Sequence, residues 1–415
     1  MQYFYRFLNG LIDETAKTRP LIYLNGPRQT GKSTLAQNLR LAGKTNYITF
    51  DSPVALEGAQ KDPENFIKSL PADALNIIDE VQMAPGIFPY LKMAVDENRT
   101  KDRGKCLYLL TGSANLMALP ALSEALVGRM SVLTLLPFSA AEYRKKDVNF
   151  IDRLFQEKPE YKKFKRPDLV SVIKNATFPE PAIHKDINLT QWFDDYLTTL
   201  IQRDIHSVAD IRRPEKIITL LSLLALRAGS LLNNSSVSSE AGLDTKTYNH
   251  YKAACSNTYI IFEIQPWSKP TGLNKRFTKS PKLYFTDTNL LAYLLRRDMD
   301  EIYSSDPVTM GHLFENFAAC EVMKNTAGRH EYDVTVFRTQ DNREVDFVVE
   351  KHNGDAIGIE VKLSGSVSSG DITNLKMLQD SLGNKFKRGI VLYTGSELVS
   401  LAPDIWAVPL PFLWE

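Results

Sequence analysis

Residues 21–39 read LIYLNGPRQTGKSTLAQNL, and this stretch decides the fold of the amino-terminal part of the chain. An apolar run precedes the pattern G-x-x-x-x-G-K-S, and a helix-like run follows it. The glycines let backbone N–H groups curl around phosphate oxygens, the lysine reaches the β- and γ-phosphates, and the serine hydroxyl ligates Mg²⁺. The positive end of the following helix faces the same phosphates. The predicted nucleotide-binding residues of this loop are Gly26, Pro27, Arg28, Gln29, Thr30, Gly31, Lys32, Ser33 and Thr34.

Two later apolar runs end in residues that suit nucleotide hydrolysis. The run 75–78 ends in Asp79 and Glu80, the Walker B pattern, in which the aspartate would hold Mg²⁺ with Ser33 and the glutamate would polarise the attacking water. The run 106–110 leads to Ser113, whose hydroxyl can touch the γ-phosphate or that water. Further strands are predicted at 46–51 and 132–136. One strand lies between the loop strand and the Asp-Glu strand, so we predict the additional-strand type of doubly wound parallel α/β sheet, with the ligand at the carboxyl ends of the strands.

Arg129 precedes the last of these strands, in the segment ALVGRM. In AAA-type ATPases this place often carries an arginine finger, which reaches the γ-phosphate of a neighbouring subunit. The alternatives are a surface arginine or a phosphate ligand within its own subunit. The finger interpretation predicts a homo-oligomer.

The length and composition limit the classes of protein to which the chain can belong. A chain of 415 residues predicts about two to four domains, and a net charge of +1 leaves nucleic-acid binding to local patches. The three cysteines are far apart and form no CxxC pair, which disfavours a zinc ribbon or a disulfide framework and fits a reducing compartment. Arg6, Asp13 and Glu14 interrupt the first apolar stretch, so we expect no signal peptide. The apolar run 217–232 carries Arg227 and is expected to be a buried helix rather than a membrane span. These observations predict a cytoplasmic protein.

The middle of the chain is predicted to link the nucleotide site to further domains. Residues 190–206 have apolar side chains at helical spacing, and we interpret this region as a helical lid on the ATPase. Helices at 216–226, 236–243 and 245–257, with Asp244 capping the last, are typical of a helix-turn-helix. Strands at 259–267 and 281–287 flank a basic loop and complete a winged helix. Such modules bind either DNA or protein. The predicted DNA contacts are Lys246, Asn249, Lys252, Lys275, Arg276 and Lys279.

The last segment predicts a second metal-dependent site. A helix at 311–324 carries Glu315, and strands are expected at 333–340, 344–351 and 356–364, before a helix and a further strand. Asp346 alternates correctly on its strand, while Glu360 and Lys362 leave one face of the next strand. The two strand carboxylates can hold Mg²⁺, the lysine can orient or deprotonate the attacking water, and Glu315 can complete the cluster. The alternative is a set of surface charges or a lysine–carboxylate pair across a hairpin.

The motifs together resemble known families. GPRQTGKST, IIDEVQ, LTGSA and GRM…LLPFSAAEY resemble bacterial and archaeal AAA-like P-loop ATPases of the AAA_14 type. NKRFTKSPKLYFTDTNL, GHLFENF, REVDFVVE and IGIEVK resemble the carboxyl-terminal DUF4143 domain of those ATPases, which is similar to the PD-(D/E)xK nuclease superfamily. The resemblance implies an ATPase core, a winged helix and a restriction-endonuclease-like α/β domain. TFPEP and the segment 231–251 depart from the family pattern, and the second departure weakens the DNA-binding prediction most.

We therefore predict four parts: a P-loop ATPase domain (1–145), a helical lid or linker (146–210), a winged helix (211–300) and a nuclease-like domain (301–415). ATP and Mg²⁺ are the predicted cofactors and DNA the predicted partner. The first hypothesis is an ATPase whose nucleotide state controls DNA binding and a Mg²⁺-dependent nuclease. The alternatives are an ATP-driven switch whose nuclease fold is inactive, and a signalling ATPase whose product is assembly.

Overall fold

The computed structural model describes most of the chain in two compact units. The described residues are 3–39, 43–99, 106–113, 115, 126, 128–156, 158–205, 211, 213–267, 281–339 and 343–415. The amino-terminal unit consists of Met1–Leu136, Thr198–Ile211 and Ala253–Tyr259, and the carboxy-terminal unit consists of Pro137–Leu197, Arg212–Lys252 and Ile260–Glu415. The division into four domains stays a prediction. Within the described ranges, no helix combines the length and the apolar character that a membrane crossing needs.

A five-stranded parallel sheet forms the centre of the amino-terminal unit. Its strands are β1 (Leu21–Asn25), β2 (Lys44–Thr49), β3 (Ala74–Asp79), β4 (Tyr108–Thr111) and β5 (Met130–Thr134). Its helices include α1 (Phe7–Ala16), α2 (Lys32–Asn38), α3 (Pro53–Lys61), α4 (Pro63–Lys68) and α5 (Phe88–Arg99). The strand order is β2-β3-β4-β1-β5, so β4 lies between the loop strand β1 and the Asp-Glu strand β3.

Both faces of this sheet are buried. Tyr23 and Leu110 belong to one apolar cluster, whereas their neighbours Leu24 and Leu109 belong to a second cluster. Successive strand residues point to opposite faces, so the two clusters are the two cores of a doubly wound sheet. The prediction of a parallel α/β sheet for this part of the chain is confirmed.

The carboxy-terminal unit combines many helices with a second sheet. Its helices include α6 (Ala140–Tyr143), α7 (Phe150–Gln156), α8 (Leu169–Asn175), α9 (Pro179–Ile183), α10 (Leu189–Thr199), α11 (Glu215–Ala225), α12 (Asn234–Glu240), α13 (Thr245–Asn257), α14 (Thr288–Leu294), α15 (Met299–Ser305), α16 (Pro307–Thr326) and α17 (Thr373–Leu382). Helices α10 and α13 cross from one unit to the other along the chain. Its strands are β6 (Lys162–Lys163), β7 (Ile261–Pro266), β8 (Lys282–Phe285), β9 (Tyr332–Arg338), β10 (Glu344–Lys351), β11 (Ala356–Lys362), β12 (Phe386–Tyr393), β13 (Glu397–Ala402) and β14 (Ile405–Pro409).

The nine strands form one mixed sheet. Their order is β6-β13-β14-β12-β11-β10-β9-β7-β8. Strands β9, β10 and β11 are antiparallel neighbours, and β11 pairs with β12 in parallel after the crossover helix α17. Along the chain this gives the predicted order of helix, three strands, helix and strand.

Gly358 allows helix α17 to pack closely on the sheet. A Cβ atom at this position would lie 2.7 Å from Leu378 Cδ2 and 2.9 Å from Leu375 Cδ2. Both leucines are fully buried in the core between the helix and the sheet. A side chain on residue 358 would therefore push the helix away from β11, the strand that carries Glu360.

The helices and the hairpin of the predicted winged helix are present in the predicted order. Asp244 caps α13, because its carboxylate accepts the Thr247 backbone N–H at 3.0 Å. Strands β7 and β8 are antiparallel, but β7 also pairs in parallel with β9 through Gln265 and Pro266. The hairpin is thus an edge of the nine-stranded sheet and does not stand apart as a wing. The basic loop between the two strands lies outside the described residues.

Candidate functional sites

The loop between β1 and α2 has the backbone that phosphate binding requires. Gly26 has a φ of 137°, and a Cβ atom there would collide with the carbonyl oxygen of Leu135. Gly31 has a φ of 89° and directly precedes α2. Only glycine adopts such conformations readily, so these positions explain the two glycines of the motif.

Lys32 is the buried cation of this loop. Its side chain donates to the backbone oxygens of Gly26 at 3.1 Å and Pro27 at 2.8 Å. Burial lowers the pKa of Lys32 to about 8, although the carboxylates of Glu80 and Asp204 act in the opposite direction. A phosphate placed beside this ammonium would meet a partly desolvated charge, which strengthens their attraction.

Asp79 lies buried at the end of β3, where two hydroxyl groups hold its carboxylate. Tyr47 donates to Oδ2 at 2.6 Å, and Thr111 donates to Oδ1. Burial, followed by the hydrogen bond to Asp79, raises the pKa of Tyr47 to about 12. Asp79 and Ser33 are the predicted Mg²⁺ ligands, and Ser33 lies in the first turn of α2, directly after Lys32. Hard oxygen donors of this kind suit Mg²⁺.

Glu80 follows Asp79 in a left-handed backbone conformation, with a φ of 57°. That conformation costs a non-glycine residue about 1–2 kcal/mol and often marks a functional position. Burial raises the pKa of Glu80, and the Lys32 charge and a hydrogen bond from Gln82 oppose the rise. Its backbone N–H donates to the Thr111 hydroxyl at 3.3 Å. The Glu80 carboxylate thus accepts a hydrogen bond from Gln82 and is influenced by the charge of the loop lysine.

Ser113 and Arg28 both contact Asp204. The serine hydroxyl donates to Oδ1 at 2.9 Å, and the arginine Nε donates to Oδ2 at 2.7 Å. Asp204 is buried and lies in a π-helical turn, Leu200–Ile205. This contact joins the predicted lid segment to the loop and to the end of β4 within the amino-terminal unit. The Arg-Asp dipeptide at the end of an amphipathic helix is visible in the sequence. The sequence does not show, however, that Asp204 contacts Arg28 and Ser113.

Arg129 pairs with Asp96 of helix α5. Its Nε and Nη2 atoms lie 2.7 Å and 2.9 Å from the two carboxylate oxygens, which is a bidentate geometry. Both side chains are partly exposed. The role of Arg129 as a finger for another subunit stays a prediction, and such a role would require the side chain to leave Asp96.

The predicted nuclease residues converge in the carboxy-terminal unit. The antiparallel register of β10 and β11, in which Phe347 faces Ile359, places Asp346 beside Glu360. Lys362 Nζ lies 2.9 Å from Glu360 Oε1, and Asp346 Oδ2 accepts the Val361 N–H at 2.9 Å. Both carboxylates therefore lie on one side of the sheet, as the strand alternation predicts.

The surroundings of Glu360 strongly raise the pKa of its carboxyl group. Burial, followed by the negative charge of Asp346, raises the pKa of Glu360 to about 8. Its Oε2 atom is buried and has no hydrogen-bond partner among the described residues. An unpartnered buried carboxylate oxygen is costly, and a cation could satisfy it.

Lys282 of β8 enters the same cluster, which the sequence analysis did not predict. Its buried ammonium contacts Glu315 Oε1 at 2.9 Å and Asp346 Oδ1 at 3.3 Å, and it also pairs with Glu344. Burial alone would lower the pKa of Lys282, but Asp346, Glu315 and Glu344 together raise it above its ordinary value.

Glu315 is the cluster residue supplied by helix α16. Burial, followed by Asp346, raises the pKa of Glu315 to about 7, and Tyr284 donates to its Oε1 at 2.9 Å. Lys282 and Tyr284 are two residues apart on β8 and so share a face. The two-residue spacing on β8 is the sequence feature from which Lys282 and Tyr284 could have been predicted to lie together. In the part of the chain that the structure describes, no three His, Cys, Asp or Glu side chains form a group arranged to hold a metal ion.

Three family models match successive parts of the chain. An AAA domain matches residues 18–144, a domain of unknown function (DUF8612) matches 167–301, and another (DUF4143) matches 310–413. The first match confirms the prediction of an AAA-type P-loop ATPase domain, here over residues 18–144, and the third confirms the DUF4143 prediction.

Similar proteins come from bacteria and archaea. Uncharacterized proteins of Mycobacterium tuberculosis and Mycobacterium bovis are each 27% identical over 94% of this chain and 80% of their own length. The Walker-type ATPase of Pyrococcus abyssi is 12% identical, covering 70% of this chain and 96% of that one with a TM-score of 0.41. A RuvB mutant of Thermotoga maritima is 15% identical, covering 64% and 87% with a TM-score of 0.29.

The predicted DNA contacts downstream of the AAA domain have different surroundings. Lys246 and Asn249 are exposed on α13. Lys252 is instead half-buried, and its ammonium pairs with Glu263 at 2.8 Å, so this side chain is already engaged within the chain. Lys275, Arg276 and Lys279 lie outside the described residues.

Proposed function

We propose that the AAA domain is the ATP-driven switch of a DNA-binding protein whose DUF4143 segment carries a Mg²⁺-dependent nuclease site. The observation that carries this proposal is the convergence of Asp346, Glu360 and Lys362 around a buried, unpartnered carboxylate oxygen. A pair of carboxylates with an adjacent lysine suits phosphodiester hydrolysis. The exposed Lys246 and Asn249 on α13 support a role of the same unit in DNA binding.

The residues at this site divide the work of hydrolysis. Asp346 and Glu360 would hold Mg²⁺, which when bound supplies charge neutralisation and an activated water. Lys362 contacts one Glu360 oxygen, and the other oxygen is buried without a hydrogen-bond partner among the described residues. Glu315 lies within the same network through Lys282. Its raised pKa near 7 suits a group that accepts or donates a proton at neutral pH.

One observation favours a second candidate, an ATP-driven switch with an inactive nuclease fold. The Lys282 ammonium already contacts Glu315, Glu344 and Asp346 and offsets part of their negative charge. A cation that is part of the chain could replace the metal permanently and leave a stable platform for DNA or a protein partner. The two candidates make opposite predictions about cleavage.

A plasmid-cleavage assay with the full chain separates them. Supercoiled and linear DNA are incubated with Mg²⁺ or with EDTA, each with and without ATP. The nuclease candidate predicts Mg²⁺-dependent cutting that changes with ATP and is lost in Asp346→Asn, Glu360→Gln and Lys362→Ala, while ATP hydrolysis stays near wild type. Glu397→Gln is the matched control, because Glu397 also pairs with a strand lysine, Lys163, but at an exposed position.

Either of two results would contradict the nuclease candidate. One is the absence of cutting under every condition by a protein that hydrolyses ATP, which would favour the inactive fold. The other is cutting that persists in all three cluster variants, which would point to a contaminating enzyme. DNA binding is measured separately by fluorescence anisotropy at several salt concentrations, because phosphate contacts weaken as salt rises.

A further inference from the structure

A dense group of cations lies between helices α7 and α8, outside the three family matches. Residues 162–166 read KKFKR, and the charged side chains, all exposed, are Lys162, Lys163, Lys165 and Arg166. The structure fixes this segment on the edge of the nine-stranded sheet, where β6 pairs antiparallel with β13. The Phe164 N–H continues that pairing by donating to the Ser396 oxygen at 2.7 Å. The cations are therefore held at defined positions along the edge of the sheet.

Arg166 ends the segment beside the carboxyl ends of β11 and β12. Its Nε atom donates to the Thr394 oxygen at 2.8 Å, directly after β12. The Thr394 N–H in turn donates to the Ser364 oxygen at 3.0 Å, two residues after β11. In the parallel register of these strands, Tyr393 is the partner of Lys362. Arg166 thus lies next to the strand ends from which the lysine of the candidate nuclease site projects.

A glycine makes room for the Arg166 guanidinium. A Cβ atom on Gly365 would lie 2.3 Å from Arg166 Nη2, so a larger residue at this position would push the guanidinium away. Gly365 belongs to the turn that leaves β11, three residues after Lys362. The backbone hydrogen bond and the glycine together set the position of this cation.

The terminal nitrogens of Arg166 are available to a ligand. Among the described residues, the Arg166 side chain bonds only through Nε, and neither Arg166 nor Lys165 pairs with a carboxylate. Lys162 and Lys163 each have a glutamate partner, at 3.7 Å and 3.5 Å, but exposed pairs of this kind contribute little. A guanidinium whose two terminal nitrogens are free can donate two parallel hydrogen bonds to one phosphate.

We propose that Arg166 binds a backbone phosphate of the DNA held at the candidate nuclease site, and that the lysines of 162–165 continue this contact along the sheet edge. Phosphate contacts position a duplex without reading its sequence, so the segment places the DNA and does not select it. The inference rests on the proposed function, because it names the surface by which that site meets its substrate. The contact itself requires binding and not cutting.

Fluorescence anisotropy with a short fluorescein-labelled duplex in EDTA measures the contact without cleavage. Arg166→Gln should raise the Kd about tenfold, because it removes a charge-assisted hydrogen bond. Adding Lys165→Gln should lower the slope of log affinity against log salt by about two in total, one for each lost phosphate contact. The matched control is Lys385→Gln with Lys387→Gln, which removes two exposed cations beside Asp355 at the opposite ends of β11 and β12. It should change the Kd by less than about twofold.

Two further variants separate the guanidinium from its charge and from a structural role. Arg166→Lys keeps the charge but loses the planar fork, so it should keep the salt slope and still weaken binding several-fold. Gly365→Ala displaces the guanidinium without altering its charge, and it should weaken binding in the wild type but not in an Arg166→Gln background. Equal losses from Gly365→Ala in both backgrounds would overturn the proposal, and this test stands even if the double variant of Lys165 and Arg166 fails to fold.

The failure of this inference and the failure of the nuclease candidate give different results. A protein that cuts nothing, but whose DNA binding weakens in Arg166→Gln and not in the control, supports the phosphate contact and favours the inactive nuclease fold. Wild-type protein that binds no duplex at any salt concentration would overturn the contact. DNA binding that is unchanged in Arg166→Gln would also overturn it, whether or not the protein cuts.

Discussion

The ammonium of Lys282 lies 2.9 Å from Glu315 Oε1, and this pair joins the edge strand β8 to helix α16 inside the carboxy-terminal unit. The same ammonium reaches Asp346 on β10. One side chain thus links three elements that are far apart in sequence. Any metal that binds Asp346 must share that carboxylate with Lys282 or displace it.

Replacing Lys282 tests whether the cluster depends on its cation. Lys282→Met removes the cation that Glu315, Glu344 and Asp346 share and should lower the free energy of unfolding by about 3–5 kcal/mol, as measured by urea denaturation. Lys174→Met, which breaks a partly exposed pair with Asp300, is the control and should cost less than about 1 kcal/mol. If the cluster can hold Mg²⁺, the ion should stabilise Lys282→Met more than wild type. An equal response of both proteins to Mg²⁺ would contradict the metal site.

The perturbed carboxyl groups predict a dependence of stability on pH. The pKa of Glu360 is raised from an ordinary value of 4.5 to about 8, so the folded protein binds its proton more tightly than the unfolded chain does. This contribution to stability is complete below about pH 4.5 and disappears as the pH rises through about 8. Wild type should therefore lose more stability between pH 5 and pH 8 than Glu360→Gln does. Denaturation curves of both proteins across this range measure the difference, and parallel pH profiles would contradict it.

ATP binding and ATP hydrolysis should separate at the P-loop. Lys32→Ala removes the buried ammonium of the loop and should abolish most ATP binding, as measured by calorimetry. Glu80→Gln keeps the shape of the site and should bind ATP near normally, but should hydrolyse it about 10²–10⁴-fold more slowly, the usual contribution of a general base. Turnover by Glu80→Gln at the wild-type rate would remove Glu80 from that role.

The arginine-finger hypothesis predicts opposite effects on ATP hydrolysis when Arg129 and its ion-pair partner Asp96 are replaced. If Arg129 acts on a neighbouring subunit, Arg129→Ala should slow hydrolysis on the order of 10³-fold while leaving ATP binding intact. Asp96→Asn releases Arg129 from its bidentate partner and should speed hydrolysis. Mixing Arg129→Ala with Glu80→Gln should restore part of the activity at shared sites. The absence of any restoration in mixed assemblies would favour a role within one subunit.

The sequence predicts those parts of the sites that are contiguous or follow strand alternation. The loop 26–33 and the Asp79-Glu80 pair are local sequence patterns. In the structure both follow parallel strands of one sheet, at the carboxyl ends of β1 and β3. Asp346 and Glu360 are also predicted, because the side-chain period of two on each strand leaves little choice of face.

The residues that the sequence analysis missed are brought in by tertiary contacts. Tyr47 reaches Asp79 from the neighbouring strand β2, and Asp204 reaches Arg28 across 176 positions of sequence. Lys282 was interpreted as part of a wing, because antiparallel strands after three helices are typical of that fold. Strand β7 instead pairs with β9, which no local sequence pattern predicts, and Lys282 on the adjoining strand β8 therefore lies in the acidic cluster.

That pairing also limits how the chain can be dissected. A fragment beginning at residue 301 would contain all of the DUF4143 match, yet it would lack β7, β8 and Lys282. Strand β9 would then lose its pairing with β7 at Thr335 and Val336, and the backbone groups left unpaired there would favour association with other chains. The acidic cluster would also lose its internal cation. An isolated fragment that aggregates or cuts nothing would therefore report on the missing edge strands and not on the activity of the intact protein.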